Sequence, residues 1–157
     1  MPGRIDARLK EKSIELPNAS APAANYVPFV MSGNLVYVSG QVSQWNGERR
    51  FVGKLGDGLE VADGQLAARM CALNLVAHLR NAAGGDLDRV ARVVRLTGYV
   101  NCAPGFVEQP KVVNGASDLM VEIFGDAGRH ARSAVGVASL PSGVAVEVEG
   151  IFELTPG

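Results

Sequence analysis

The chain lacks the features that mark several large classes of protein. Its 157 residues carry a formal net charge of −1, so no basic excess favours nucleic acid or an anionic membrane surface. No apolar run approaches the ~20 residues that a transmembrane helix needs. Residues 1–16 alternate charged and apolar residues and lack the long apolar region of a secretory signal, so we expect a cytoplasmic protein.

Cysteine and aromatic residues are also scarce. The two cysteines, Cys71 and Cys102, have no spacing typical of a metal site or a disulfide framework, so we expect reduced thiols. Neither His78 nor His130 has a partner at metal-ligand spacing, and we predict no metal site. We expect His78 to pack in the core and His130 to make a local hydrogen bond. Aromatic residues make up only 6%, whereas 19 glycines favour tight turns.

What is present suffices for one globular domain. With 47% hydrophobic residues the chain can bury a core, and we assign that domain to residues 13–157. Residues 1–12 are polar enough to form a mobile or loosely docked arm. A hairpin is predicted over residues 29–39, around Ser32-Gly33-Asn34. Residues 45–58 read as a glycine-rich surface loop.

Two helices are predicted further along. The first has Asp63 as its N-cap and ends at Gly84-Gly85. Its apolar residues recur at spacings of three and four: Leu66, Met70, Leu73 and Ala77. A strand follows over residues 90–100. The second helix begins near Pro110, because proline suits a first helical turn, and it ends at Gly125.

The order of elements predicts an α+β fold. Strands, a helix, a strand, a helix and two final strands are best accommodated by a mixed sheet with two helices packed on one face. The other face of that sheet would stay exposed unless another copy of the chain covers it. We therefore expect a homo-oligomer.

Residues 130–150 carry the candidate chemistry. They read as two strands around a Pro-Ser-Gly turn, with Glu147 and Glu149 on one face of the second strand. Arg132 can bind a carboxylate through two parallel hydrogen bonds, or it can form an edge ion pair with either acid. Glu147 can accept a proton from water, or it can be a solvated surface acid. The strand register decides whether Arg132 and Glu147 share a face, and the sequence leaves it open.

Several short segments occur in the order and spacing of a known family. They are residues 21–23, 38–41, Asn74, 85–88, 106–114, 131–133, 140–141 and 146–149. Together they span nearly the whole chain from about residue 13 to residue 154. Because of the order and spacing of these segments, the chain resembles the reactive intermediate deaminase family, also called RidA or YjgF-type proteins. It resembles a divergent branch of that family.

The resemblance implies a chorismate-mutase-like fold, assembled as a homotrimer with clefts between subunits. It also implies hydrolysis of enamines and imines, such as 2-aminoacrylate, to 2-keto acids and ammonia. The partner would be a small carboxylate-bearing imine or keto acid, with no nucleic acid and no membrane. No cofactor is expected, because an imine carbon is already electrophilic and the protein must mainly orient it beside one water.

The resemblance also assigns roles to individual residues. Arg132 matches the arginine that binds the substrate carboxylate, and Glu147 matches the acid near the attacking water. Asn114 matches an asparagine near the cleft, and Gly40 matches a glycine whose backbone lines it.

Two positions depart from the pattern of the family. Phe29 stands where the deaminases have a tyrosine, so the pocket lacks a hydroxyl group unless Tyr26 supplies one. Ala134 stands where many members have a cysteine, although its backbone carbonyl is retained.

Two rival functions stay open. The missing hydroxyl at Phe29 motivates a regulatory trimer that binds a small carboxylate without chemistry. An endoribonuclease is the third hypothesis, because the family has carried that label. Its only support in the sequence is a cationic cluster at Arg49, Arg50 and Lys54 near Trp45, in a chain without a basic stripe.

Overall fold

The structure, a computed structural model, describes residues 3–22 and 24–157. Met1 and Pro2 of the predicted arm, and Ala23 of the family-like segment 21–23, lie outside the described residues. In chain order the helices and strands are α1 (Arg4–Glu11), β1 (Phe29–Ser32), β2 (Leu35–Val42), β3 (Gln44–Trp45), β4 (Glu48–Arg49), β5 (Lys54–Leu55), β6 (Gly58–Leu59), α2 (Val61–Ala82), β7 (Val90–Asn101), α3 (Gln109–Phe124), β8 (Ala131–Val137) and β9 (Val146–Leu154).

Five of these strands form one mixed sheet. Their order is β1-β2-β9-β7-β8, and every neighbouring pair is antiparallel except β7 and β8. The helices α2 and α3 pack against this sheet, so the predicted α+β architecture is confirmed. The loop predicted over residues 45–58 contains two short ladders, β3–β4 and β5–β6.

The predicted hairpin is confirmed as β1 and β2. Gly33 has a φ of +60°, a value that the tight turn between the strands requires and that glycine adopts readily. β1 pairs with β2 as far as Val38, and the register between β2 and β9 shifts between Val38 and Gln41. The bulge places Gly40 at the end of the sheet.

The first long helix, α2, differs from its prediction at both its start and its face. Glu60 is the N-cap, and Asp63 accepts a hydrogen bond from the Glu60 backbone nitrogen at 2.9 Å, which completes a capping box. Leu66, predicted on the apolar face, is 54% exposed. Ala77 is buried as predicted, and the first half of the buried face consists of small residues, among them Ala67, Ala68, Cys71 and Ala72. These small side chains let the helix lie close to its neighbours.

The second long helix begins and ends where proline and glycine predict. Pro110 lies in the first turn of α3, and Gly125 follows its last residue. Gly115 faces α2 so closely that an added Cβ would lie 2.0 Å from the backbone oxygen of Gln65. A side chain at this position would therefore push the two helices apart.

The N-terminal residues are docked rather than loosely attached. Ile5 and Leu9 on α1 are 1% and 6% exposed, so the helix buries an apolar face in the core. Asp88 accepts hydrogen bonds from the backbone nitrogens of Arg4 and Ile5, both at 2.8 Å. Arg8 donates to the Ile123 carbonyl on α3 at 2.9 Å. The expectation of a loose arm overlooked the spacing of Ile5 and Leu9, one helical turn apart.

The last two strands are not paired with each other, because β7 lies between them. On β9, Val146 and Val148 are buried towards the helices, whereas Glu147 and Glu149 lie on the other face as predicted. Within the described residues of one copy, no helix covers that other face. By register it presents Val30, Tyr37 and Val135, which are 53%, 44% and 43% exposed.

Candidate functional site

A cavity of ≈ 420 Å³ lies where β2 bulges at the end of the sheet. Gly40 and Glu147 reach it from β2 and β9, and Tyr26 lines it from the segment before β1. Arg49 on β4 and His78 on α2 also line it, together with the polar residues Ser20, Gln41 and Gln44. The cavity therefore combines a carboxylate, a guanidinium and an imidazole within one copy of the chain.

Gly40 makes room for the Glu147 carboxylate. An added Cβ at Gly40 would lie 2.7 Å from Glu147 Oε2, a distance that real Cβ atoms essentially never show. Burial raises the pKa of Glu147 above its ordinary value of 4.5, and the nearby charge of Glu149 adds to the rise. A carboxylate with a raised pKa can accept and return a proton closer to neutral pH.

The neighbouring acid, Glu149, is held differently. The Tyr99 hydroxyl donates a hydrogen bond to it, which raises the pKa of Tyr99 to about 12. Among the hydrogen bonds of the described residues, none involves the side chain of Glu147. Of the two acids, Glu147 is thus the one available to a ligand or a water.

Arg132 lies on the edge strand β8 and is held by α3. Its Nη1 donates to Asn114 Oδ1 at 2.8 Å and to Ser117 Oγ at 3.2 Å. Its Nη2 donates to the Pro110 carbonyl at 3.3 Å. All three acceptors are neutral, and the edge ion pair with Glu147 or Glu149 does not form. The positive charge of Arg132 therefore stays uncompensated within the part of the chain that the structure describes.

Ser117 forms a hydrogen bond with His130, and His130 is held by a second hydrogen bond to Gly128. His130 Nδ1 lies 2.7 Å from the Gly128 carbonyl, which can only accept, so Nδ1 carries the proton. Burial lowers the pKa of His130, with a contribution from the charge of Arg132, so the ring is neutral at pH 7. The Ser117 hydroxyl accordingly donates to His130 Nε2 at 2.8 Å and accepts from Arg132. We call Arg132, Asn114, Ser117 and His130 the Arg132 network.

The local hydrogen bond expected of His130 is thus present, but the sequence analysis missed Ser117. A signal was available, since Asn114 and Ser117 are three residues apart on a predicted helix and lie on one face of it.

Arg132 and Glu147 lie on opposite faces of the sheet. In the ladders with β7, Arg132 pairs with Leu96 and Glu147 pairs with Tyr99. Leu96 and Tyr99 are three residues apart on one strand, so their side chains point to opposite faces. The register left open by the sequence therefore separates the two residues within one copy.

The other two predicted site residues are partly buried against the core and do not line the cavity. Phe29 packs against the hydrophobic core, and Tyr26 lines the cavity instead. Ala134 pairs with Gly98 on the face that carries Arg132, and it also packs against the core.

Within residues 3–22 and 24–157, no group of three or more histidine, cysteine or acidic side chains could hold a metal ion. Across the same residues, no helix has both the length and the apolar character needed to cross a membrane.

Comparison with known proteins gives consistent results along the chain. A family model described as YjgF/chorismate-mutase-like, whose description also names an endoribonuclease, matches residues 6–149. Protein TCP17 of Trypanosoma cruzi is 53% identical over 153 residues, which cover 97% of this chain and 95% of that protein. The crystal structure of Atu1372 of Agrobacterium tumefaciens, a protein of unknown function, has a TM-score of 0.89. Atu1372 is 48% identical to this chain, over 96% of this chain and 92% of that one. E. coli TdcF with bound serine is 25% identical with a TM-score of 0.60, over 89% of this chain and 94% of that one.

Proposed function

The chain belongs to the YjgF/chorismate-mutase-like family, the RidA/YjgF proteins, and from that premise we propose that it hydrolyses reactive enamines and imines to 2-keto acids and ammonia. The substrate class is a small imine with a carboxylate, such as the imine form of 2-aminoacrylate, and no cofactor takes part. A cytoplasmic location belongs to the same proposal and agrees with two free cysteines, Cys71 and Cys102.

The observation that carries the proposal is the half-buried Glu147 carboxylate above Gly40. Its pKa is raised, and it borders a cavity that can hold a small molecule and a water. Glu147 takes a proton from the water as the water oxygen bonds to the imine carbon. Glu147 returns this proton to the nitrogen, which gives a carbinolamine. It then moves the hydroxyl proton of the carbinolamine to the nitrogen, the carbon–nitrogen bond breaks, and ammonia leaves as the ketone forms. Arg132 holds the substrate carboxylate through charge-assisted hydrogen bonds.

This mechanism needs two copies of the chain. Arg132 and Glu147 lie on opposite faces of one sheet, so an Arg132 that serves the cavity must come from a neighbouring copy. We propose a homotrimer, in which the sheet face with Val30, Tyr37 and Val135 is covered by other subunits. The serine bound to TdcF supports an amino-acid-sized ligand with a carboxylate.

The test compares ammonia release from 2-aminoacrylate generated in solution. Two charge-assisted hydrogen bonds of about 1.5–3 kcal/mol each predict a loss of kcat/KM of about 100-fold or more for Arg132→Ala. Glu147→Gln should lose a similar factor through kcat. The matched controls are Arg129→Ala, at a side chain 72% exposed, and Glu153→Gln on the same strand as Glu147. Unchanged ammonia release in Arg132→Ala would contradict the proposal.

A second candidate is a regulatory trimer that binds a 2-keto acid without chemistry. It is favoured by Phe29, which packs against the core and brings no hydroxyl to the cavity. In that case 2-ketobutyrate binds saturably to the wild-type protein, while imine hydrolysis stays at the uncatalysed rate. The deaminase proposal expects both binding and hydrolysis.

The geometry of the cationic cluster disfavours an endoribonuclease. The Lys54 amine donates to Asn101 Oδ1 at 2.8 Å and to the Ala138 carbonyl at 2.5 Å. Arg50 pairs with Glu48 at 3.6 Å. Because Lys54 and Arg50 are each engaged within the chain, the cluster leaves Arg49 as a single cation rather than a stripe for a phosphate backbone.

A further inference from the structure

The Glu147 cavity contains polar groups that the hydrolysis of a small imine does not use. Its volume of ≈ 420 Å³ lies within the range of about 300–1,000 Å³ typical of pockets for larger ligands. By contrast, 2-aminoacrylate is no larger than a small amino acid. Arg49 and His78 line the part of this space that the proposed mechanism leaves unassigned.

Arg49 is held in place but has no acidic partner. Its Nη1 donates to Gln44 Oε1 at 2.8 Å and to the Gly47 carbonyl at 3.3 Å. Gln44 is only 8% exposed, and its amide nitrogen donates to Ser20 at 3.1 Å. Among the ion pairs of the described residues, none includes Arg49, whereas Arg50 pairs with Glu48. The remaining donors of the Arg49 guanidinium can bind an anion.

His78 is buried beside the same cavity. It is 2% exposed, and its Nε2 has no hydrogen-bond partner within the described residues. Burial also lowers the pKa of His78, so the ring is neutral at pH 7 and presents one donor and one acceptor. Buried polar groups in native proteins nearly always have a partner, and Nε2, which is closed to solvent in this structure, would gain one from a polar ligand group or a water that the cavity wall shifts to admit.

We propose that Arg49 and His78 bind a second acidic group, so that the substrates of this chain are imines of dicarboxylic amino acids. The inference rests on the proposed function, in which Arg132 of a neighbouring copy holds the carboxylate next to the imine. Arg49 is exposed, so water compensates its charge when a monocarboxylate is bound, whereas a distal carboxylate pairs with the guanidinium and accepts charge-assisted hydrogen bonds from it. The products are then 2-keto dicarboxylates, and the hydrolytic step is unchanged.

The test compares two imines of matched chain length, generated in solution by oxidation of L-glutamate and of L-2-aminopentanoate. Hydrolysis is followed by the loss of imine that semicarbazide can trap. The wild-type protein should favour the dicarboxylate in kcat/KM by about tenfold or more, the factor expected of one charge-assisted hydrogen bond. In Arg49→Gln this ratio should fall below about threefold, and His78→Leu should lower it in the same direction. Arg50→Gln is the matched control and should keep the wild-type ratio.

Binding separates this inference from the proposed function. In calorimetric titrations, 2-oxoglutarate should bind more tightly than 2-oxopentanoate to the wild-type protein, and Arg49→Gln should remove the difference. That pattern supports the binding of a second acidic group at Arg49 even when no imine is hydrolysed, a result that would overturn the proposed function and the substrate class that rests on it. The inference is overturned if the wild-type protein shows no preference, or if Arg49→Gln weakens both ligands equally, because Arg49 would then bind their shared carboxylate.

Discussion

The Glu147 cavity and the Arg132 network lie on the same sheet but hold their charged groups in different ways. In the cavity, Glu147 and His78 are buried with few partners, and burial raises the pKa of the acid. In the network, Arg132 reaches three neutral acceptors on α3 and stays half-buried at the sheet edge. Burial raises the pKa of Glu147, which suits a group that accepts a proton. Fixed hydrogen bonds orient Arg132, which suits a group that binds a carboxylate.

For the proposed reaction, neither region forms a complete site in one copy. The cavity contains an acid suited to activate water, and the network contains an oriented guanidinium, but the sheet separates them. The proposed reaction therefore requires contact between copies, and this requirement can be tested directly.

The largest expected effect comes from mixing two inactive variants. Arg132→Ala and Glu147→Gln each lack one half of the site, so each alone should lose about 100-fold or more of the deaminase activity. When equal amounts are unfolded and refolded together, random assembly pairs an intact Arg132 with an intact Glu147 in about a quarter of the sites. Ammonia release should recover to about a quarter of the wild-type rate.

The control for the mixing experiment is each variant refolded alone, which should stay inactive. If the mixture stays inactive although it assembles as mixed oligomers, both residues act within one copy or do not act together. Mass spectrometry under native conditions can verify the mixed assembly.

A smaller effect should follow from loosening the Arg132 network. Ser117→Ala removes one acceptor of Arg132 and the partner of His130, at a cost of about 1 kcal/mol. We expect KM for the substrate to rise by roughly fivefold while kcat changes less, because Ser117 orients Arg132 and touches no reacting atom. Steady-state kinetics provide the measurement, with Asp118→Ala, an exposed neighbour on α3, as control. A loss confined to kcat would contradict an orienting role.

The smallest effect concerns thermal stability, because removing the charge of Glu147 should stabilise the folded protein rather than destabilise it. The pKa of Glu147 is raised in the folded protein above its ordinary value of 4.5, so the ionised form weakens folding at any pH above the folded value. This penalty is absent below the unfolded value, where both states bind the proton. Glu147→Gln should therefore raise the melting temperature at pH 7, by roughly 2–4 °C for each kcal/mol relieved.

Thermal melting followed by circular dichroism from pH 4 to pH 8 checks this prediction. The gain in Glu147→Gln should shrink as the pH falls towards the ordinary value of the carboxyl group. Glu153→Gln is the control on the same strand. A melting temperature that falls at pH 7 would show that the carboxylate is held by favourable contacts instead.

Much of the fold was predictable because local signals mark it. Pro110 and Gly125 bound α3, and Gly33 marks the hairpin turn. The start of α2 and the place of Leu66 on its buried face were predicted wrongly for physical reasons, whereas Ala77 is buried as predicted. Glu60 caps the helix although glutamate is not a preferred capping residue, and small residues such as Ala67 pack inside while Leu66 faces solvent.

The site was less predictable, because it depends on pairing between distant strands. The acids of β9 were placed on the correct face from the period of two. No local sequence pattern indicates that β7 lies between β8 and β9. The pairing of both strands with β7 places Arg132 and Glu147 on opposite faces of the sheet. The roles of Arg49 and His78 depend on the cavity, which forms only when β4 and α2 meet β2.

Gly115 has a consequence that extends beyond the packing of two helices. It lies next to Asn114 and two residues before Ser117, on the helix that supplies the acceptors of Arg132. The absence of a side chain there lets α3 rest against the Gln65 backbone, and this spacing determines where those acceptors stand. Gly115 itself touches no ligand, yet it determines how the Arg132 guanidinium is oriented. Replacing it with a larger residue would therefore weaken anion binding at Arg132.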